Sequence, residues 1–282
     1  MLTIILVVVL LGIIVAVSSI YDNNSVKIRS YNITSDKIKN KYRIVFLSDL
    51  HGNSFGDKNS KLINAVDRLN PDIILIGGDM ITARKEKIES KNWDNALALL
   101  EGIKDNKVYY GIGNHEYRMD LYREDFGDAF DRLKMKIENL GISVLYNDTA
   151  IFGELTIKGL AIDRSFYKRF EKHVMKPEYV SGEVGKREYD KFTVMLAHNP
   201  EYFNAYSKEA DLVLSGHVHG GIARLPLLGG VISPRLSLFP KYDGGRFDKD
   251  GSVMIISRGL GSHTLPFRFF NPCEICVIEL EP

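Results

Sequence analysis

Five short apolar runs, each broken off by an Asp, Asn or His side chain and usually by glycine, constrain this chain more than any other feature. Arg43-Ile44-Val45-Phe46-Leu47 runs into Ser48-Asp49-Leu50-His51-Gly52, and Ile73-Ile74-Leu75-Ile76 into Gly77-Gly78-Asp79. Val108-Tyr109-Tyr110-Gly111-Ile112 leads to Gly113-Asn114-His115-Glu116, and Thr193-Val194-Met195-Leu196 to Ala197-His198-Asn199-Pro200. Leu212-Val213-Leu214-Ser215 leads to Gly216-His217-Val218-His219-Gly220-Gly221. A short apolar run without polar alternation is the mark of a strand buried on both faces. Between the runs, Leu62, Val66 and Leu69, and then Phe130, Leu133, Ile137 and Leu140, recur at helical spacing. Strands alternating with helices predict a layered α/β fold, in which ligands collect beyond the carboxyl ends of the strands. The five polar tips should therefore meet in one cleft.

Those tips carry Asp49, His51, Asp79, Asn114, His115, His198, His217 and His219, which include five of the seven histidines; His173 and His263 lie elsewhere. Taken singly, each has a mundane alternative: Asp79 as a helix cap, Asn114 in a left-handed turn, His198 as a hydrogen-bonded core histidine. Independent caps and turns have no reason to fall at the same end of five strands, so the set reads as a cradle for metal. Glycines flanking His217 and His219 let the backbone turn tightly enough for both imidazoles to face one point. Two carboxylates, an amide and several imidazoles without a thiolate suit manganese, iron or zinc better than calcium. The two cysteines exclude a disulfide scaffold or a thiolate zinc fold. Two divalent ions about 3.5 to 4 Å apart can clamp the attacking and leaving oxygens of a phosphoryl displacement, and a bridging carboxylate with neutral ligands fits that task. His115, on a glycine-flanked turn, could instead face the substrate and protonate the leaving oxygen or steady the phosphoryl charge.

The order Asp49-x-His51, Gly78-Asp79, Gly113-Asn114-His115-Glu116, His198 and Gly216-His217-x-His219 resembles the calcineurin-like metallophosphoesterase superfamily. The resemblance implies a four-layer α-β-β-α sandwich of two mixed sheets with a dinuclear metal centre, hydrolysing phosphodiester or pyrophosphate bonds with a metal-bound hydroxide. It further implies that Asp49, His51 and His219 hold the first ion and Asn114, His198 and His217 the second. Asp79 would bridge the two, and His115 would be the catalytic histidine. Gly220-Gly221, Arg224-Leu225-Pro226, Tyr242, Gly245, Ser257-Arg258-Gly259-Leu260-Gly261 and Leu265-Pro266-Phe267-Arg268 resemble the membrane-associated bacterial branch. That branch includes enzymes of the UDP-diacylglucosamine pyrophosphatase type, acting on phosphodiester or pyrophosphate groups of lipid-linked sugars. Ile222 stands where the branch often has glutamine and Cys273 where it often has proline, so the substrate itself does not carry over.

Residues 2–17 are apolar except for Thr3 and Gly12, and no charge appears before Asp22. A helix of about 20 such residues crosses a hydrocarbon core of about 30 Å. An anchor over residues 1–21 and a catalytic domain over 22–282 are expected, with the protein single-pass in the cell membrane. A cleaved signal peptide is the alternative, with Ala16-Val17-Ser18 as a small-x-small site, but its basic n-region is missing. Lys27, Arg29, Lys37, Lys39 and Lys41 after the span would hold the body in the cytoplasm by the positive-inside rule, which loses force for residues inside a folded domain. The side is therefore open.

A net charge of +1 gives no general reason to expect nucleic acid, and a phosphorylated small molecule or lipid-linked substrate is the expected partner. A degenerate scaffold kept for binding is the alternative, against which the complete ligand set argues. Three further stretches call for a reading. Cys273-Glu274-Ile275-Cys276 has redox spacing but precedes an alternating run and should lie in a terminal strand. Arg258 and Arg268 could clamp a phosphate or lie solvated at a loop edge. Residues 163–191 are polar without clear period, which predicts a solvated insertion or a lid. Within them Phe166, Tyr167 and Phe170, interleaved with Lys168, Arg169 and Lys172, could meet a lipid surface.

Overall fold

All five apolar runs are strands, and each polar tip lies at or just past the end of its strand. A computed structural model describes residues 1–168, 173–221, 223–225, 229–232, 238–262 and 267–282. The chain opens with helix α1 (Leu2–Asn24) and continues through β1 (Val26–Thr34), β2 (Tyr42–Leu47), α2 (Ser60–Leu69), β3 (Ile73–Ile76), α3 (Lys91–Ile103) and β4 (Val108–Gly111). Next come α4 (Asn114–Leu121), α5 (Arg123–Phe126), α6 (Ala129–Glu138), β5 (Ser143–Leu145), β6 (Asp148–Phe152) and β7 (Leu155–Leu160). They are followed by α7 (Pro177–Val184), β8 (Phe192–Ala197), α8 (Phe203–Tyr206), β9 (Leu212–Ser215), β10 (Arg224–Leu225) and β11 (Gly229–Gly230). The last three strands are β12 (Gly245–Lys249), β13 (Ser252–Ile256) and β14 (Cys273–Glu281).

Among the described residues the strands form two six-stranded sheets, ordered β1-β14-β2-β3-β4-β5 and β12-β13-β9-β8-β7-β6. In the first, β2 to β5 run parallel and β14 is antiparallel to β2. In the second, β13, β9, β8 and β7 run parallel, with antiparallel β12 and β6 at the edges. Both sheets are thus mixed, as the family resemblance implied.

Side chains alternate across each strand, so an unbroken apolar run feeds two cores at once. Ile44 and Phe46 of β2, with Ile73 and Leu75 of β3, meet Val194, Leu196, Leu212 and Leu214 of the second sheet. Val45, Leu47, Ile74 and Ile76 face the other way, onto Leu62 and Val66 of α2, Leu99 and Leu100 of α3, and Leu133 and Ile137 of α6. On the far side of the second sheet, Met195, Val213, Met254 and Ile256 pack with Val180 and Val184 of α7 and Phe203 and Tyr206 of α8. Three cores between four layers follow from the pattern.

Cys273 belongs to the helix-facing core and Cys276 to the inter-sheet core. Three residues apart on one strand, they point to opposite faces, which closes the redox reading. The polar stretch after Asp163 is not simply solvated: it contains α7, and Met175, Val180 and Val184 are buried. Phe166 packs against the rings of Tyr179 and Tyr202 rather than outward. Arg169, Phe170 and Lys172 lie outside the described residues, as do Ile222, Pro226, His263, Leu265 and Pro266.

Helix α1 runs past the expected anchor boundary at 21/22, and its last turn is docked on the body. Arg268 N–H donates to Ser19 Oγ at 3.2 Å, Asn271 N–H to Asp22 Oδ2 at 2.9 Å, and Ser262 Oγ to Asn23 Oδ1 at 2.8 Å. Among the cations after the span, Lys27 and Arg29 sit on β1, while Lys37 pairs with Asp211 and Lys41 with Glu281. They belong to the folded body.

Candidate metal centre

An extended strand ends by aiming its next side chains outward, whereas the residues at these tips must turn back over the sheet ends. The backbone does this by entering the left-handed region at Asp49 (φ 56°), His51 (φ 50°), Asp79 (φ 52°), His217 (φ 69°) and His219 (φ 51°). Such a conformation costs a non-glycine residue about 1 to 3 kcal/mol, and its clustering marks a constrained site. Cross-strand bonds hold the turns: Asp49 N–H to Gly78 O at 3.0 Å, His51 N–H to Asp79 O at 3.0 Å and Gly216 N–H to His198 O at 3.0 Å. Two glycines make room. A Cβ on Gly216 would stand 2.1 Å from Asp49 Oδ2, and one on Gly113 2.3 Å from Asp79 Oδ1.

The tips converge. Ligand atoms of Asp49, His51 and His219 lie within 4.8 Å of one another, and so do those of Asp79, His198 and His217. The two groups abut: His51 Nε2 is 3.9 Å from both Asp49 Oδ1 and Asp79 Oδ2, and His198 Nε2 is 3.1 Å from Asp79 Oδ2 and 3.7 Å from Asp49 Oδ1. His219 Nε2 is 3.4 Å from Asp49 Oδ1 and 3.2 Å from His51 Nε2. Asn114 opens α4 beside them, and its Oδ1 is buried without a hydrogen-bond partner. A buried carbonyl oxygen in that state is costly unless a cation meets it.

The outer nitrogens fix which face each imidazole offers. His198 Nδ1 lies 2.7 Å from Gly77 O and His219 Nδ1 3.1 Å from Gly261 O. A proton on Nδ1 donated to a carbonyl leaves the Nε2 lone pair aimed at the cluster, the arrangement of metal-bound histidines. His115 is opposite in kind. Ala83 N–H donates to its Nδ1 at 2.9 Å, so a neutral ring carries its proton on Nε2. That nitrogen can donate to a substrate oxygen but cannot ligate, although His115 lies as close to His51 and Asp79 as a ligand would. The Ala83 bond sets the His115 ring apart from those of His198 and His219.

Charge in the cluster is unbalanced. Asp49 and Asp79 are buried, and burial alone would raise the Asp79 carboxyl. The neighbouring imidazoles, His198 foremost, outweigh burial and hold it well below the ordinary carboxylate range. Burial likewise disfavours a charged His198, yet the Asp79 and Asp49 carboxylates push its pKa up to about 10. Two buried carboxylates thus demand positive charge, and a proton on His198 and a divalent ion compete for the same nitrogen.

Several supporting residues carry no motif. Glu116 is buried and accepts from Asp79 N–H (2.9 Å), Met80 N–H (3.0 Å), Gly113 N–H (3.1 Å) and the Tyr110 hydroxyl (2.7 Å). Burial and the Asp79 charge push its carboxyl up to about 7. Its one sequence signal is a glutamate at the third position of a helix, reaching back to the helix start. Asn92 donates to His51 O at 2.6 Å and accepts from Thr82 N–H at 2.9 Å, while Asn271 donates to His219 O at 2.6 Å. Arg268 is buried and donates to the carbonyls of Arg258, Gly261 and Asn271, so it braces the loops instead of clamping phosphate or meeting solvent. Arg258 lies beside the buried Glu274 carboxylate at 3.6 Å. The Tyr167 ring stands 5.3 Å from that of His217, a neighbour the polar stretch gave no sign of.

Two mixed sheets with this cluster over their strand ends define a class. The chain belongs to the calcineurin-like phosphoesterase family, whose model matches residues 42–221. An uncharacterized metallophosphoesterase of Helicobacter pylori is 28% identical over 263 residues, covering 91% of this chain and 64% of the relative. One from Aquifex aeolicus is 28% identical over 263 residues, covering 90% of this chain and 92% of the relative. A zebrafish (Danio rerio) protein, named a transmembrane protein with metallophosphoesterase domain, is 27% identical over 256 residues, covering 86% of this chain and 54% of its own. The chain therefore spans less than two thirds of the Helicobacter and zebrafish relatives.

Proposed function

We propose that the protein is a membrane-anchored phosphohydrolase that uses two divalent ions of the manganese, iron or zinc type to cleave a phosphodiester or pyrophosphate bond. Its substrate would be a lipid-linked or nucleotide-sugar compound. The carrying observation is the buried cluster of two carboxylates and oriented imidazoles, with the unpartnered Asn114 Oδ1 beside it. Asp49, His51 and His219 would hold one ion, Asn114, His198 and His217 the other, and Asp79 both. When bound, such ions neutralise phosphoryl oxygens and acidify a water. His115, its Nε2–H fixed by the Ala83 bond, would donate to the phosphoryl or leaving oxygen.

The anchor reading is supported by α1, whose large apolar residues from Leu2 to Leu10, and Ile13, Ile14, Val17 and Ile20, are exposed. The helix is long and apolar enough to cross a membrane, and the zebrafish relative is named as a transmembrane protein. The test is hydrolysis of bis-p-nitrophenyl phosphate with added manganese. Asp79→Asn and His217→Ala should each lower turnover by at least about 100-fold while the protein stays folded. Wild-type turnover matched by both variants would refute the proposal.

A further inference from the structure

We propose that the last turn of α1 is a wall of the substrate cleft, and that Lys87 and Lys91 opposite it bind the anionic headgroup of a substrate that stays embedded in the bilayer. The inference rests on the phosphohydrolase reading and narrows its substrate. A cavity of about 670 Å³ is lined by Ile20, Asn23 and Asn24 of α1, by His51 of the metal cluster, and by Lys87 and Lys91. One space thus joins the anchor, the reaction centre and two cations. Neither lysine has an acidic partner within ion-pair distance among the described residues.

The anchor cannot drift relative to the site. Arg268 and Asn271, whose backbone N–H groups bind Ser19 and Asp22 of α1, also reach the loops of the cluster, Arg268 at Gly261 O and Asn271 at His219 O. Ser19 and Asp22 are 7% and 5% exposed, whereas Val17, Ile20 and Tyr21 on the same helix are 60%, 66% and 59% exposed. Buried polar contacts on one side and exposed apolar ones on the other fix the helix face turned to lipid.

Depth follows from length. With Leu2 to Tyr21 in the hydrocarbon, about 30 Å at 1.5 Å per residue, the turn that lines the cavity emerges among the headgroups. A basic side chain at that depth is worth about fivefold in binding to anionic lipid. A bilayer-resident amphiphile whose tails lie beside Val17 and Ile20 needs to lift only its phosphate to reach His51. Phe270, next to Asn271, is 55% exposed and adds a second apolar contact near the base of the helix.

The metal-loaded full chain in detergent micelles would be titrated calorimetrically with dihexanoyl phosphatidic acid, glycerol 3-phosphate and inorganic phosphate, with bis-p-nitrophenyl phosphate turnover measured on the same wild-type sample. The wild type should bind phosphatidic acid at least about tenfold more tightly than glycerol 3-phosphate, and Lys87→Glu/Lys91→Glu, which meets the phosphate both ligands share, should weaken each of them at least about tenfold. Partition into micelles is common to both proteins, so their difference isolates the cleft. Asn23→Trp, which fills the space from the helix side, should weaken phosphatidic acid more than inorganic phosphate. Equal binding of lipid and glycerol 3-phosphate in an active wild type, or affinities untouched by the charge reversal, would overturn this proposal and leave the hydrolase reading standing. A wild type without turnover would overturn both.

Discussion

Glu116 ties the two loops that carry Asp79 and Asn114, and its replacement has a calculable cost. Oε2 accepts from the amides of Asp79 and Gly113, and Oε1 from the Met80 amide and the Tyr110 hydroxyl. In Glu116→Gln the remaining oxygen must sit on the side with two amide donors. The new NH2 then meets the Met80 amide head-on, while the Tyr110 hydroxyl can turn and accept. One buried amide is orphaned, a loss of about 1 to 3 kcal/mol. Glu116→Leu orphans three amides and the phenol, which exceeds about 3 kcal/mol even at the low end for each group. At about 2 to 4 °C per kcal/mol for a domain of this size, the glutamine variant should melt about 2 to 12 °C below wild type and the leucine variant lower still. Tyr110→Phe, which removes one neutral partner, should cost no more than Glu116→Gln. Circular dichroism melts of the full chain in micelles, with and without manganese, would measure this. A leucine variant that melts with wild type and binds manganese equally well would refute the role given to Glu116.

Three further outcomes follow from the same geometry. Gly216→Ala places a Cβ 2.1 Å from Asp49 Oδ2, so turnover of bis-p-nitrophenyl phosphate should fall by about 100-fold or more, with weaker metal binding by calorimetry. His115→Ala should keep the metal content of wild type by atomic absorption while turnover falls about 10²- to 10⁴-fold, as expected of a ring whose Nδ1 already accepts from Ala83 and whose proposed role is to donate; loss of metal would contradict that assignment. In the metal-free protein His198, with its pKa near 10, is protonated at pH 7 and must lose that proton to bind an ion. Manganese affinity should therefore rise with pH between 6 and 8, by up to about tenfold per unit for each proton displaced, and His198→Gln should flatten the slope.

The sequence displayed the site better than its supports. The strand tips were legible because a doubly buried strand leaves an unbroken apolar run, and because carboxylates and imidazoles have few reasons to recur at its end. The left-handed backbone at Asp49 and His219 left no trace, since neither is glycine. Helix α7 escaped notice because it is eight residues long and buries only Val180 and Val184, too little for a period to show. Asn92, Arg268 and Asn271 act through backbone carbonyls that only the folded chain brings near, His219 O being 52 positions from Asn271. The amide of Ala83 that occupies His115 Nδ1 likewise has no side-chain pattern to announce it.

The central claim is that the five tips grip a pair of ions, and counting bound metal on the purified full chain tests it most directly. Equilibration with manganese followed by elemental analysis should give two ions per chain in wild type, at most one in His219→Ala or His198→Ala, and none held tightly in Asp79→Asn. A wild-type chain that retains no metal, or variants that retain as much as wild type, would contradict the account.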